Sequence, residues 1–261
     1  MAEQPSGTVI IAVGDELLGG FTLDTNSHWL AQQVREAGFP CVHVEVVADR
    51  DSDIVAAIRR AVDDPRAVRV FVCGGLGPTT DDRTLPAVSR ALARPLHEDP
   101  DARAHIEAII ERMHAAGWVP TRELSEANAR MALVPEGATV LRNRRGMASG
   151  LVYPLDGEDR WLFVLPGVPR ELQAIVSEEV LPQFLAGGAA VVVRELRYGY
   201  AIEAEFFEPM RALEREFPDV SVGSYPQTET RQLVIRIRGT DESRVDAAVA
   251  RLVELRPLPP D

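Results

Sequence analysis

Two short runs constrain this chain most: Thr8-Val9-Ile10-Ile11-Ala12-Val13 and, sixty residues on, Val68-Arg69-Val70-Phe71-Val72-Cys73, each followed at once by glycine. Neither run alternates apolar with polar positions. A strand of that kind is covered on both faces, which happens in parallel sheets sandwiched between helices. The segments between them carry the matching helical period. Asp24 is placed to cap a helix from Thr25, with Leu30, Val34 and Ala37 on one face and Gly38 as its stop, and Ile54, Ala57, Ile58 and Ala61 mark another over 52–62. A second strand over 41–47 lies between these helices. The order strand, helix, strand, helix, strand predicts an α/β fold with a parallel sheet.

Residues 14–20 read as a loop, and after Gly74 the chain becomes helix-rich, over 85–92, 101–115 and 122–133. A helix is also expected to begin near Asp82. Two extended runs, 150–153 and 161–165, face each other across Asp156-Gly157 as a hairpin, and a further helix spans 171–180. Ala186-Gly187-Gly188-Ala189 is the best linker. Beyond it a strand, a helix, two strands and a helix form a smaller α/β sandwich, so the domains are expected to be 1–188 and 189–261.

All 28 basic residues are arginine, against 40 acids and a formal charge of -12. A chain without lysine has neither the lysine of a Walker A loop nor a Schiff-base lysine. The acid excess opposes a nucleic-acid partner, since duplex binding rests on basic side chains displacing counterions. The two cysteines, Cys41 and Cys73, sit in apolar runs and read as buried, reduced thiols. The polar amino terminus and the absence of a long apolar run point to no membrane partner and a cytoplasmic protein.

Ligands of open α/β sheets sit beyond the carboxyl ends of the strands. There the sequence places Gly14-Asp15-Glu16 with Asp24, Asn26 and Ser27, and Gly74-Gly75-Leu76-Gly77-Pro78-Thr79 with Asp81 and Asp82. The glycine loop predicts a nest of backbone N–H groups for a phosphate. Carboxylates beside it require a cation, so a divalent metal, Mg²⁺ with Mn²⁺ or Co²⁺ as alternatives, is expected on Asp81, Asp82 and Glu16. Each segment also has a plain reading: a helix cap at Asp24, a solvated Asp15-Glu16 turn, an acidic cap after a glycine turn, and surface charge at Asp49. Residues 143–150, with Arg144 and Arg145, and 165–171 are further candidates for phosphate binding.

Together with Leu165-Pro166-Gly167-Val168-Pro169 and Glu171, these motifs resemble the amino-terminal portion of the competence/damage-inducible CinA family, which is similar to the three-layer α/β MoaB/MogA-like molybdopterin-binding fold. Residues 190–256 resemble the KH-like domain that follows it there. The resemblance implies metal-dependent hydrolysis of the pyrophosphate in ADP-ribose or a related dinucleotide. As alternatives it implies molybdopterin or nucleotide binding without turnover, or molybdopterin adenylylation. By motif match, Asp82, Asp81, Glu16 and Asp49 are the catalytic acids. Gly14, Asp15, Asn26, Gly74, Gly75, Leu76, Gly77, Pro78, Thr79, Asn143, Ser149 and Gly167 are the substrate-binding residues. Ser149 stands where the family usually has proline. The resemblance further implies a homodimer or higher homo-oligomer, and the amidase activity of longer relatives is not expected in a chain ending at Asp261. The KH-like part lacks the Gly-x-x-Gly loop that clamps RNA.

Overall fold

The structure, a computed structural model, describes residues 7–157, 159–199 and 202–256. The chain divides into two compact units, Met1–Gly188 and Ala189–Asp261. In chain order the first contains β1 (Gly7–Val13), α1 (Asp15–Leu18), α2 (Thr25–Glu36), β2 (Cys41–Val47), α3 (Asp51–Asp63), β3 (Ala67–Cys73) and α4 (Thr84–Leu92). It continues through β4 (Leu96–Glu98), α5 (Pro100–Ala115), α6 (Glu126–Ala129), β5 (Leu133–Pro135), β6 (Thr139–Leu141), β7 (Gly150–Pro154), β8 (Trp161–Leu165), α7 (Pro169–Ile175) and α8 (Leu181–Phe184).

Six strands form one sheet in the order β2-β1-β3-β8-β7-β6. The first four are parallel neighbours, and β7 and β6 run antiparallel. β1 and β3 are buried along their whole length. The pleat divides their side chains between two cores: Val9, Ile11, Val13, Val70 and Val72 meet Ile54, Ile58, Val88 and Ile106 from α3, α4 and α5. Ile10, Phe71 and Cys73 meet Leu30 and Val34 of α2 and Leu172 and Ile175 of α7. Each fully buried aliphatic chain contributes about 1.5–3 kcal/mol, so both faces drive the three-layer arrangement.

Arg69 is the one polar break in the β3 run and is 1 % exposed. Its guanidinium donates to the carbonyls of Phe184 and Val68 and to the Asp159 carboxylate, and it lies 4.4 Å from the centre of the Phe39 ring. The planar fork thus closes the end of the sheet remote from the glycine loops.

Several short elements differ from the sequence reading. Residues 15–18 of the expected loop form a helical turn, α1. The helix expected over 122–133 is reduced to α6 and a 3₁₀ turn, Arg130–Ala132, because the chain then pairs as β5 with β4. The helix expected over 171–180 starts at Pro169 and passes through a π-helical turn, Val176–Val180, into α8. Pro182 has no N–H for the carbonyl four residues back, and the widened turn accommodates it. Cys73 is buried, but Cys41 is only half-buried because β2 is the sheet edge; both thiols are free.

The second unit comprises β9 (Val192–Gly199), α9 (Phe207–Glu216), β10 (Ser221–Gln227), β11 (Gln232–Gly239) and α10 (Glu242–Leu255). Its antiparallel sheet has the order β10-β11-β9 and packs on the two helices through Leu196, Phe206, Leu213, Ile235, Ile237, Val245 and Leu252. No helix among the described residues is long and apolar enough to cross a membrane.

Candidate functional site

Strand register brings the candidate loops together. Val13 pairs with Val47, Ala12 with Cys73, and Cys73 with Leu165, so β2, β1, β3 and β8 end at one level. Gly14 N–H donates to the Val47 carbonyl at 3.1 Å and Gly74 N–H to that of Leu165 at 2.9 Å, fastening the loop roots. The chain leaves β1 for α2 on one face and β3 for α4 on the other. A crevice opens between two strands whose connections diverge in this way.

A cavity of about 530 Å³ lies there, and Glu16, Asp49, Gly74 to Pro78, Asp81, Asp82 and Gly167 line it. Gly74 and Gly75 take φ angles of +109° and +65°, as an N–H nest requires. Gly74 also passes so close to β1 that a Cβ would stand 2.3 Å from the Val13 carbonyl oxygen. Thr84 Oγ1 donates to the Gly74 carbonyl at 2.7 Å and Thr84 N–H to that of Gly75 at 3.2 Å, folding the loop back on the start of α4 at Thr84, just past Asp82.

The Asp82 carboxylate is built into the loop. Its Oδ1 accepts Gly77 N–H at 2.7 Å, and its Oδ2 accepts Thr79 N–H at 2.8 Å and the Thr79 hydroxyl at 2.6 Å. Asp82 therefore occupies the N–H groups of Gly77 and Thr79, and the Leu165 carbonyl that of Gly74, so part of the expected phosphate nest is filled by the protein itself. Among the described residues no protein group accepts from Gly75 or Leu76 N–H, and those two donors remain for a ligand.

Asp49, just beyond β2, accepts Asp15 N–H at Oδ2 at 2.7 Å. Burial pushes its carboxyl above the usual aspartate range; the Asp15 N–H opposes this, while the charges of Asp15, Glu16 and Asp81 add to it. No arginine is among the cavity-lining residues. Arg144 instead pairs with Glu178 at 3.2 Å, and Arg145 is exposed and is not among the residues that line the cavity. Among the described residues the only arginine that acts on these acids is Arg83, whose charge favours the ionised Asp81 from outside the lining. The oxygen-rich lining suits a divalent cation by donor type, yet among the described residues no three His, Cys, Asp or Glu side chains are gathered closely enough to hold one. Glu16, Asp81 and Asp82 share a wall without forming a closed ligand set.

Other predicted residues lie around this space rather than in its lining. Asn26 Nδ2 donates to the Gly167 carbonyl at 2.7 Å, tying α2 to the turn after β8, and Asn26 borders a separate cavity of about 100 Å³. Gly14 backs Glu16: a Cβ there would stand 2.6 Å from both carboxylate oxygens. Ser149 is buried and faces the core beside Ala148. Asn143, fully buried, holds its own loop: Oδ1 accepts Arg145 and Gly146 N–H at 2.9 and 3.0 Å, and Nδ2 donates to the Ala148 carbonyl and to Glu171 Oε2, each at 2.7 Å. With every hydrogen-bonding group engaged, it positions the site without reaching into it. Met131, Met147, Ala148, Val168 and Glu171 also line the cavity; the last four lie in the candidate loops 143–150 and 165–171, although the sequence assigned none of them a role. For Glu171 the signal was its place one turn into α7 after Pro166-Gly167-Val168-Pro169.

The model of the probable molybdopterin-binding domain matches residues 9–186. The chain belongs to this family. Residues 192–258 match the model of the middle domain of FAD synthase, a likeness the sequence reading did not name. A Pyrococcus abyssi protein, PYRAB15930, is 35% identical over 240 residues, covering 92% of this chain and 93% of its own. A putative competence-damage inducible protein of Symbiobacterium thermophilum is 34% identical over 93% of this chain, which spans 56% of that longer relative. Among solved structures, CinA of Thermoplasma acidophilum, a protein of unknown function, superposes with a TM-score of 0.60 at 28% identity, covering 70% of this chain and 99% of its own. As a molybdopterin-binding-domain protein, the chain has its acid-rich cavity within the region that carries the family match.

Proposed function

We propose that the cavity binds the phosphoanhydride of a nucleotide or pterin and, with a divalent cation, hydrolyses it, ADP-ribose being the leading substrate. The observation that carries this reading is the meeting of a glycine turn with two free N–H groups and four carboxylates, Glu16, Asp49, Asp81 and Asp82, on one cavity. Gly75 and Leu76 N–H would bind a phosphate oxygen. Asp49 has only the Asp15 N–H on one oxygen and keeps the other to accept a proton from water. Water oxygen then bonds to phosphorus, the bridging P–O bond breaks, and AMP and ribose 5-phosphate leave. Glu16, Asp81 and Asp82 are not gathered into a ligand set, so a cation would be held by one or two of them together with the phosphate oxygens of the substrate. The cation's charge would neutralise the phosphate oxygens and permit a polyanion in an acidic cavity.

The test is incubation with ADP-ribose and Mg²⁺, Mn²⁺ or Co²⁺, following AMP. AMP release that falls at least a hundredfold in Asp49→Asn supports the reading, and no release with any of the three metals overturns it. The second reading is a site that holds molybdopterin without turnover. The absence of a closed ligand set and the engagement of both Asp82 oxygens favour it. Tight pterin binding without product would establish it.

A further inference from the structure

The lining of the cavity also has an apolar part. Met131, Met147, Ala148 and Val168 form its walls there, and the Glu171 carboxyl group lies among them at 9 % exposure. Burying such a group is unfavourable unless it is hydrogen-bonded. Glu171 Oε2 accepts Asn143 Nδ2 at 2.7 Å, but among the described residues no protein group donates to Oε1, which is not fully buried and opens to the cavity. The group is also fixed in place. Asn143 is locked by its three other hydrogen bonds, and Gly146 lies so close that a Cβ there would be 1.9 Å from Oε2 and 2.3 Å from Oε1. The result is a rigid acceptor with one oxygen open to the cavity, which Met131, Met147, Ala148 and Val168 line with it.

Resting on the phosphoanhydride reading above, we propose that Glu171 reads the neutral part of the ligand, accepting adjacent O–H or N–H donors from the group attached to the anhydride. An anionic group is repelled by this carboxylate, and a phosphate belongs on the Gly75 and Leu76 N–H groups. Two ligand parts offer adjacent donors on a neutral frame: the vicinal diol of a pentose and the amino-oxo edge of a guanine- or pterin-like ring. Sulfur and methyl walls suit either a ring face or a sugar face. The chemistry selects against a heterocycle edge that presents acceptors to Oε1.

Glu171→Gln is a sharp probe. Asn143 Nδ2 demands an acceptor on its side, so the glutamine would turn its oxygen there and its NH₂ toward the cavity. An acceptor thereby becomes a donor at constant shape. Titration calorimetry with Mg²⁺ would compare methylenebisphosphonate with the α,β-methylene analogues of ADP and GDP and their 2′-deoxy forms. Wild type is expected to bind the nucleotide analogues more tightly than the bisphosphonate. Glu171→Gln should weaken the nucleotides at least tenfold and leave the bisphosphonate within twofold. A larger loss for the GDP analogue identifies the ring edge as the donor; equal losses matched by the 2′-deoxy forms identify the diol. Equal weakening of the bisphosphonate, or no change for any ligand, overturns the assignment. Glu171→Leu, which removes the acceptor, must give the same pattern, and it replaces the glutamine variant if that variant does not fold. Adenosine and guanosine complete the series. A wild type that binds nucleosides but not the bisphosphonate overturns the anhydride reading alone, with Glu171 then judged on the nucleosides. A wild type that binds nothing overturns both.

Discussion

Three glycines around the cavity each leave room for a carboxyl group that folds back on them: Gly14 for Glu16, Gly77 for Asp82 and Gly146 for Glu171. A methyl group at Gly146 would meet only the end of a side chain, whereas at Gly74 it would meet the Val13 backbone at a φ of +109°. Gly74→Ala is therefore expected to destabilise the first unit by more than about 3 kcal/mol, combining backbone strain with overpacking, and Gly146→Ala by about 1–3 kcal/mol. Urea unfolding measures both. Measured in a Glu171→Ala background, the further loss from Gly146→Ala should largely disappear, whereas that from Gly74→Ala should remain. Asp49 gives a pH signature. A carboxyl whose pKa is higher in the folded than in the unfolded chain binds more protons when folded, so stability falls as pH rises through the interval between the two values. Asp49→Asn should accordingly raise Tm at pH 7, and the gain should vanish well below the ordinary aspartate pKa of about 3.9. At this scale the sequence revealed the acids next to glycine turns, because loop and strand end are adjacent in the chain. It did not reveal that Asp82 fills part of the nest, or that Glu171 is held by Asn143 from 28 residues away, because both depend on where side chains fold back.

Elements were legible in proportion to their length and periodicity. β1 and β3 follow directly from buried runs, β2 from its β-branched residues although it is a largely exposed edge strand, and α2 from helical spacing and the Asp24 cap, which accepts Ser27 N–H at 2.9 Å. β4, β5 and β6, three residues each, carry too few positions to show a period and exist through their partners. α2 matters to the site because it carries both its cap and the Asn26 link to Gly167. Asp24→Ala is expected to cost about 1 kcal/mol through the lost cap. Asn26→Ala frees the Gly167 turn instead and should act mainly on ligand affinity. Amide exchange would separate them: faster exchange in the first turn of α2 for Asp24→Ala, and around 166–168 for Asn26→Ala. If both variants showed the same protection pattern, the cap and the link would not be independent.

Across the whole molecule, the cores of the two units share no residue: one pair of clusters ends at Leu185 and the other cluster begins at Val192. The glycine-rich segment at 186–189 was legible as a break for the same reason, since it contributes nothing to either. Charge divides into 18 arginines against 27 acids through residue 188 and 10 against 13 beyond. Per residue the two are nearly equal, a net -9 over 188 residues against -3 over 73. Heating should then give two transitions rather than one, because a single unfolding free energy describes only a chain whose parts unfold together. The first unit's transition should shift upward with a cavity ligand by the usual mass-action term, leaving the other in place. At about 70 residues, 189–261 exceeds the length below which domains need disulfides or metals to fold. Expressed alone, it should unfold cooperatively at the same temperature as its transition in the full chain. A fragment without a cooperative transition, or a full chain that melts in one step with every probe, would show that the second unit depends on the first for its stability.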